Sequence, residues 1–312
     1  MFQQKKCPCC GNHTQIKYWA IIAPFIKDYI SIPKNKTTTK LIQCKSCGHR
    51  FFEDRFDDNE MEQLYSGYRG ERYFQTRKKN EPWYFSSVNT SNLDPNIIKK
   101  RKDGLKNFLN PFLIHDRENL IVADIGGDAG QFIPLEITNQ AFVVEASAQV
   151  PVPGVIRVET INKIPQPVNL IICSHVLEHI SSPDIFINEI ISSSNLSPDC
   201  FFYFEVPLER FYISPLLKSK VYLKYLQTIL IVRWITIGVD FFSVLSRSYL
   251  NAVFSPFIMK LHEHLNYYTK HSLSELMLNA NLQVVNVIEE KASNLSTHQG
   301  IIRLIARKKT TE

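Results

Sequence analysis

The chain has 312 residues, which is enough for one large domain with a smaller one or for two domains of medium size. Its 44% hydrophobic and 21% charged residues are typical of a soluble globular protein, and its net charge of +6 is mildly basic. The chain has seven cysteines, an odd number, and its first residues lack the apolar stretch of a signal peptide. The sequence therefore argues against a secreted disulfide framework and predicts a reducing cytoplasm.

Two C-x-x-C motifs, each followed by glycine, lie at residues 7–10 and 44–47. A spacing of two residues lets both thiolates turn onto one metal ion, and four thiolates from two such motifs make a closed, structural zinc site. The long interval between the motifs predicts an intervening β-hairpin or small lobe. Cys9 is an alternative ligand, and His13 and His49 are weaker ones. The predicted zinc ligands are Cys7, Cys10, Cys44 and Cys47.

Residues 61–110 are rich in aromatic and charged side chains. Within this linker, Asn96–Leu109 has the pattern of an amphipathic helix that ends before Pro111. Three residues ahead of the helix suit contacts with a substrate or a role in a lid, and equally suit a packing layer between two lobes: Tyr68, Arg69 and Arg72. The basic clusters of the chain fit an anionic partner or a solvated surface, and they lie at 77–79, 99–102 and 307–309.

A glycine-rich loop follows the next predicted strand. Leu120–Ala123 is an apolar run typical of a buried strand, and three glycines then fall within five residues. Glycine allows a sharp turn and the close approach of a ligand, and a helix starting in Gln131–Ile137 would present free N–H groups to the same ligand. This order is typical of a nucleotide-binding unit, although the spacing is not G-x-G-x-x-G. A tight turn without a ligand is the alternative.

An α/β pattern continues after the loop. Ala141–Glu145 is a predicted strand that ends in a carboxylate, and this group can accept both ribose hydroxyls of a bound nucleoside. The interval between the glycines and this strand suits one helix. Further strands are predicted at 154–158, 168–173, 200–206, 282–288 and 301–306, with a helix at 184–192.

A long apolar and aromatic segment runs from about residue 210 to about residue 258. Lys224, Arg233 and Asp240 interrupt it, so it is a poor transmembrane helix and predicts one or two amphipathic helices. Such helices could cover an acceptor, form a homodimer interface or lie on a membrane surface, with burial inside the protein or a dimer favoured.

Several of these stretches resemble class I S-adenosylmethionine (SAM) methyltransferases, in the same order. The loop at 124–130 reads D-x-G-x-x-x-G, a variant of the family's D-x-G-x-G-x-G in which Asp128 replaces the middle glycine. SHVLEHI follows the central strand at 174–180, and FEVP follows at 204–207. The two C-x-x-C motifs and HEHLNYYTKHSL at 262–273 extend the resemblance to zinc-containing methyltransferases that act on sugars, including the C-methyltransferases of deoxysugar biosynthesis.

The resemblance implies a Rossmann-like α/β fold with a mostly parallel sheet, an antiparallel last strand and a small zinc-ribbon-like lobe in front of it. It also implies SAM as the cofactor, held by the glycine loop, by the acid after the second strand and by the residues after the central strand. The predicted SAM contacts are Asp124, Gly126, Gly127, Asp128, Gly130, Glu145, Ser174 and His175.

In the sugar C-methyltransferases the second histidine of H-E-H is the general base, and this residue is His264 here. Histidine is the usual proton acceptor near neutral pH. His179 and Glu178 are further catalytic candidates. The tyrosine that these enzymes carry three residues earlier is Leu261 here, which leaves O-methylation open beside C-methylation. A divalent-metal site on His175, Glu178, His179 and His264, similar to that of RNA-terminal methyltransferases, is another alternative.

The sequence thus predicts a zinc-binding lobe at 1–60, a linker with a lid helix at 61–110, and a SAM-binding domain at 111–312 that contains the insertion at about 210–258. The predicted function is methyl transfer to a sugar, nucleotide sugar or related small metabolite in surface-glycan or natural-product biosynthesis. The predicted location is the cytoplasm or the inner face of the membrane. The alternatives are an RNA or protein methyltransferase, and a non-catalytic zinc-ribbon binding protein with a degenerate methyltransferase domain. A nucleic-acid partner is disfavoured.

Overall fold

A computed structural model describes residues 1–33, 35–113, 120–145, 149–209, 211, 213–250, 257–291 and 300–309. The first elements are β1 (Phe2–Gln3), β2 (Gln15–Ile22), α1 (Pro24–Tyr29), β3 (Thr38–Cys44), β4 (Arg50–Phe52), β5 (Asp54–Arg55), α2 (Asp58–Tyr65), α3 (Glu71–Asn80), α4 (Ser86–Asn89) and α5 (Pro95–Leu109). Strands β2 and β3 are antiparallel and confirm the hairpin predicted between the two C-x-x-C motifs. Asp94 caps α5, which begins at Pro95 and confirms the predicted helix.

A second group of elements builds the large sheet and its surroundings. These are β6 (Ile121–Ile125), β7 (Gln140–Val144), β8 (Val155–Val158), β9 (Val168–Ser174), α6 (Pro183–Ile191), β10 (Leu196–Pro207), α7 (Lys220–Ile229), α8 (Arg233–Leu250), β11 (Lys260–Leu261), β12 (Asn266–Tyr267), α9 (Lys270–Asn279), β13 (Leu282–Lys291) and β14 (Gly300–Lys308). Every strand predicted from an apolar run is present, and so are the helix predicted at 184–192 and the amphipathic helices of the insertion.

The large sheet has seven strands in the order β13-β14-β10-β9-β6-β7-β8. The strands from β6 to β10 pair in parallel, whereas β14 is antiparallel to both of its neighbours. Helix α5 packs on one face, and helices α6 and α9 pack on the other. This confirms the predicted Rossmann-like fold with an antiparallel closing strand. The carboxyl ends of β6, β7, β9 and β10 meet at one edge, where ligands bind in such sheets.

The helix predicted after the glycine loop is wrong. Residues 131–134 make turns, and only a short 3-10 helix forms at Leu135–Ile137 before β7 begins at Gln140. Pro134 has no N–H to donate, and residues 135–139 are too few to continue a helix beyond one turn. The glycine loop is therefore closed by successive tight turns, with the Gly130 amide donating to Gly127 and the Ile133 amide donating to Gly130.

The smaller sheet combines both ends of the chain. Its five strands have the order β11-β2-β3-β4-β12, so two strands from the 260–267 segment flank three from the N-terminal lobe. Strand β11 is parallel to β2, and β12 is antiparallel to β4. The residues between β11 and β12 include His262, Glu263 and His264. The H-E-H motif is thus a connection held at both sides by the N-terminal lobe.

Helices α7 and α8 form a sharp corner. Within the described chain, no single helix has the length and apolar character needed to cross a membrane. Lys220–Ile229 and Arg233–Ser246 satisfy those criteria only when taken together, as a pair bent by 118°.

A buried guanidinium joins the two sheets. Arg55 is fully buried and donates to the Leu265 carbonyl at 3.2 Å and to the Asn266 side-chain oxygen at 2.8 Å. The Asn266 amide group donates in turn to the carbonyls of Leu177 and Ile180, at 3.0 and 2.7 Å, in the turn after β9. One buried asparagine therefore links the N-terminal lobe to the edge of the large sheet.

Replacing Asn266 with alanine should lower the free energy of unfolding by about 2–4 kcal/mol, because a buried guanidinium and two buried carbonyls lose partners. Urea unfolding of the purified chain measures this change. Asn188→Ala is the matched control, since its exposed side chain makes one contact within a helix turn, to the Asp184 carbonyl. Equal stabilities for the two variants would contradict the role assigned to the joint.

Candidate active site

The glycine loop lies against the turn that follows β9. Gly126 has φ +67°, and a Cβ atom there would lie 2.9 Å from Val176. Asp128 also adopts a left-handed conformation, φ 58°, which aspartate tolerates better than most residues. Its carboxylate accepts from Asn92 at 2.8 Å and from Gln131 at 3.1 Å. The departure from the family's glycine therefore leaves the turn intact.

Carboxylates gather at the sheet edge beside this loop. Burial raises the pKa of Asp124 to about 7; Arg101 opposes the rise, whereas Glu145, Glu205 and Asp128 add to it. Glu145 follows directly on β7 and is half-buried, in the position predicted for a ribose contact. A cation bound here would relieve the repulsion among these acids, and the methyl donor carries a sulfonium.

The residues after β9 form a charged network around Glu205. The Ser174 hydroxyl donates to one oxygen of Glu205 at 2.8 Å and accepts from Arg101 at 3.0 Å. The other oxygen accepts from Arg303 at 2.9 Å and from Tyr203 at 2.7 Å. These bonds fix Ser174 at the edge where it was predicted to meet the cofactor. They also hold α5 over that edge, because Arg101 belongs to that helix.

His175 bridges two acids. It has φ 58°, and its two ring nitrogens lie 3.3 Å from Glu178 and 3.3 Å from Glu205. Burial and Arg101 lower its pKa, but the two glutamates reverse the effect and leave the pKa above its ordinary value. His175 thus contacts both Glu205, in the network at the sheet edge, and Glu178, which adjoins the histidines described next.

Two histidine rings meet on the other side of this turn. The rings of His179 and His264 are 4.7 Å apart and nearly perpendicular. His179 Nδ1 lies 2.9 Å from the Tyr65 hydroxyl, and His264 Nδ1 lies 3.2 Å from Glu209. The structure thus brings together His264, His179 and Glu178, the three residues predicted to be catalytic, although they come from segments far apart in the chain.

The two histidines differ in protonation. Burial and the neighbouring His264 lower the pKa of His179 to about 4, so this ring is neutral at pH 7. Burial also lowers the pKa of His264, but Glu209, with help from Glu178 and Glu263, raises it to about 9. At neutral pH the pair therefore carries one positive charge, and that charge is on His264.

The same cluster could hold a divalent cation. Ligand atoms of Glu178, His179 and His264 lie within 4.8 Å of one another. His175, the fourth residue of that alternative, lies outside this group. Two imidazoles and a carboxylate form a donor set suited to several transition metals.

The four predicted zinc ligands come together in the N-terminal lobe. Their sulfur atoms lie within 4.8 Å of one another, with Cys7 Sγ 3.6 Å from Cys47 Sγ and Cys10 Sγ 3.5 Å from Cys44 Sγ. Zinc–sulfur bonds of about 2.3 Å in a tetrahedron place sulfurs about 3.8 Å apart, so this set fits zinc. Cys9, the predicted competitor, is buried beside the set but is not part of it.

The linker residues predicted to contact a substrate or form part of a lid make three different sets of contacts. The Tyr68 ring is 5.4 Å from the Tyr65 ring, next to the histidines. Arg69 donates to Asn92, which holds the glycine loop through Asp128. Arg72 instead donates to the Tyr29 carbonyl in the N-terminal lobe, away from the histidines.

Sequence reasoning missed three residues of this site. Tyr65 and Glu209 touch the histidine pair, and Arg101 reaches the sheet edge from α5. The position of Glu209, two residues after the end of β10, is a signal that could have identified it. Tyr65 and Arg101 carry no such signal, because only the tertiary fold brings them to the site.

Metal analysis should find about one zinc per chain, and the Cys44→Ser/Cys47→Ser double variant should lose it together with stability. Cys9→Ser is the matched control and should keep the zinc, because its sulfur is not among the clustered four. Full zinc content in the double variant would overturn the assignment.

Binding of SAM should release roughly half a proton per chain at pH 7, because the sulfonium favours the ionised form of Asp124. Affinity should accordingly rise as the pH increases through about 7. Titration calorimetry in buffers of different ionisation heat measures the released proton.

S-adenosylhomocysteine (SAH), which lacks the sulfonium charge, is the ligand control, and Asp124→Asn is the protein control. Both should show little release. Equal proton release with SAM and SAH would place the sulfonium away from Asp124.

The chain matches a family described as a methyltransferase domain over residues 97–287, more than half of its length. A comparison with curated proteins gives no match. Among solved structures, a magnesium protoporphyrin IX methyltransferase from Synechocystis PCC 6803 with bound SAH is 12% identical, with a TM-score of 0.39, over 68% of this chain and 85% of that one. A SAM-dependent methyltransferase from Aquifex aeolicus is 14% identical, with a TM-score of 0.40, over 72% and 98%.

A SAM-dependent methyltransferase from Leishmania major is 10% identical, with a TM-score of 0.42, over 71% and 77%. Likenesses this distant say nothing about the substrate. The family match covers the glycine loop, Glu205 and the histidine pair, and the strand order is that of the class I fold. The chain belongs to the methyltransferase-domain family and is a class I, SAM-dependent methyltransferase.

Proposed function

We propose that the protein transfers a methyl group from SAM to a hydroxyl or an enolisable carbon of a sugar, nucleotide sugar or related small metabolite, in surface-glycan or natural-product biosynthesis. The supporting observation is the His179–His264 pair, placed across one short turn from the glycine loop. Such acceptors must lose a proton to become good nucleophiles, and a histidine pair within reach of the methyl donor supplies the acceptor for that proton.

The turn after β9 sets the geometry of transfer. Val176 contacts Gly126 of the loop, and Glu178 and His179 follow within the same turn. A methyl donor on the loop would therefore have the histidines on the far side of Val176. An acceptor bound beside the histidines would approach the methyl carbon from the side opposite the loop, as in-line displacement requires.

The lining of the histidine side favours a hydroxyl-rich acceptor. Phenol and carboxylate groups surround the two rings, and Glu263 is itself held by the Tyr73 hydroxyl and Arg77. Such groups donate and accept hydrogen bonds at fixed positions, which suits sugar hydroxyls better than a flat apolar ring system. The members of this lining are Tyr65, Tyr68, Glu178, Glu209 and Glu263.

Both C- and O-methylation remain within the proposal. Leu261, which replaces the family's tyrosine, is fully buried in β11. A phenol nevertheless reaches the histidines from α2, because the Tyr65 hydroxyl lies 2.9 Å from His179. The cluster thus contains a tyrosine from a different segment of the chain.

The geometry gives less support to a nucleic-acid substrate. Two arginines of the basic clusters make internal contacts, Arg77 with Glu81 and Glu263, and Arg101 with Ser174 and Glu205. They are therefore not available as a surface for phosphates. The intact turn at Asp128 likewise gives less support to a non-catalytic protein.

His264 acts as the base in this proposal, and it must first lose the proton that Glu209 stabilises. Transfer of labelled methyl groups from SAM to nucleotide sugars should rise roughly tenfold per pH unit until about pH 9. His264→Gln should lower turnover by roughly 10²–10⁴, remove this rise of the rate with pH and spare SAM affinity. Glu209→Gln should shift the rise to lower pH, because the His264 ring loses its anionic partner and its pKa falls.

His271→Gln is the matched control, since this exposed histidine lies on α9, and its profile should equal that of the wild type. A rate that falls above about pH 9 would show that His264 acts as a proton donor instead. SAM binding without transfer to any sugar or nucleotide sugar would overturn the proposed acceptor class.

A further inference from the structure

Helix α8 exposes its apolar face and buries its polar one. Trp234 is 78% exposed, and large apolar residues follow it along the same face at helical spacing: Ile235, Phe241, Phe242 and Leu245. The opposite face carries Thr236, Asp240 and Ser243, all nearly fully buried. A helix on the surface of a globular protein normally has the reverse arrangement.

This orientation is fixed by polar contacts. The carboxylate of Asp240 accepts from the buried ammonium of Lys260 at 2.6 Å, and the Thr236 hydroxyl donates to the Ile229 carbonyl at 2.6 Å. Turning the helix to hide its aromatic face would break both contacts and leave the Lys260 charge without one of its acids. The apolar face therefore stays outward in the folded chain.

Further exposed apolar side chains lie in α7 and in its connection to α8. Ile231 is 80% exposed and Val221 is 71% exposed, and Val232 is also exposed. Together with the exposed side chains of α8, these residues are called the corner surface: Val221, Ile231, Val232, Trp234, Ile235, Phe241, Phe242 and Leu245. An exposed apolar surface of this extent indicates a binding partner.

The charges beside the corner surface indicate which partner it is. Every charged residue of 213–246 is basic except Asp240, which is buried against Lys260. The exposed charged residues of this segment are Lys218, Lys220, Lys224 and Arg233. Arg233 also reaches α3, where it donates to the Lys79 carbonyl and lies beside two more exposed lysines, Lys78 and Lys79. Apolar side chains with a basic border are typical of elements that lie in the surface of an anionic bilayer.

We propose that the corner surface binds anionic phospholipid bilayers, with the apolar side chains of α8 entering the interface and the lysines contacting headgroup phosphates. A second copy of the chain is less suitable, because a two-fold contact would bring the basic borders together. The helix lies in the surface and does not span the bilayer, since Asp240 and Thr236 keep its other face docked on the protein.

The test uses the full chain and vesicles that are made either of phosphatidylcholine alone or of phosphatidylcholine with phosphatidylglycerol. The wild type should co-float with the anionic vesicles, and higher salt should weaken binding. Ile231→Ser/Trp234→Ser and Lys220→Gln/Lys224→Gln should each reduce binding by at least roughly tenfold. All four side chains are exposed, so both variants should fold.

Ile185→Ser is the matched control, because this isoleucine is also exposed, at 57%, but lies on α6 outside the corner surface, and binding should be unchanged. Failure of the wild type to bind anionic vesicles would overturn the proposal. So would a stable dimer in light scattering that Ile231→Ser/Trp234→Ser dissociates. Methyl transfer in vesicle-free solution is measured separately, so the two proposals can fail independently.

Discussion

The backbone of the turn after β9 is the junction on which the rest of the site depends. The Glu178 carbonyl accepts from the amides of both Leu265 and Asn266, at 2.7 and 3.0 Å. The Asn266 side chain and the buried Arg55 then complete the connection to the N-terminal lobe. Because Val176 of this turn touches the glycine loop and His179 touches His264, a shift of the turn would change the distance between cofactor and acceptor.

The two sides of this turn have different electrostatic character. On the cofactor side, burial, with help from neighbouring acids, raises the pKa of Asp124, and a bound cation would favour its ionised form. On the acceptor side, Glu209 keeps His264 protonated and His179 stays neutral. His264 can therefore accept a proton from an acceptor only after it has lost its own, which becomes frequent as the pH approaches about 9.

The sequence was informative wherever the chemistry is local. Apolar runs such as 168–173 predict central strands because both faces of a parallel sheet are buried, and C-x-x-C predicts clustered thiols because two residues suffice for the turn. The sequence was misleading after the glycine loop, where the family pattern predicts a helix. Pro134 and the short connection to β7 leave room only for a 3-10 turn there. It could not show that β11 and β12 complete the N-terminal sheet, because strands of two residues have no periodicity to read. The contact of Tyr65 with His179 depends on that long-range pairing too.

The thiol cluster is connected to the proposed base through the sheet that it supports. His264 lies between β11 and β12, and both strands pair with strands of the N-terminal lobe. Cys44 ends β3 at the centre of that sheet, and the carbonyls of Cys47 and Cys9 accept from Thr269 and Asn279 at the two ends of α9. Zinc on these thiolates would therefore stabilise the strands on both sides of the segment that contains His264, without contacting the histidine itself.

The glycine loop is held separately by the large sheet, by Asn92 and by the contact with Val176. Destabilising the N-terminal lobe should consequently increase the mobility of the histidine pair before that of the glycine loop. In this way a metal with a purely structural role would still affect turnover.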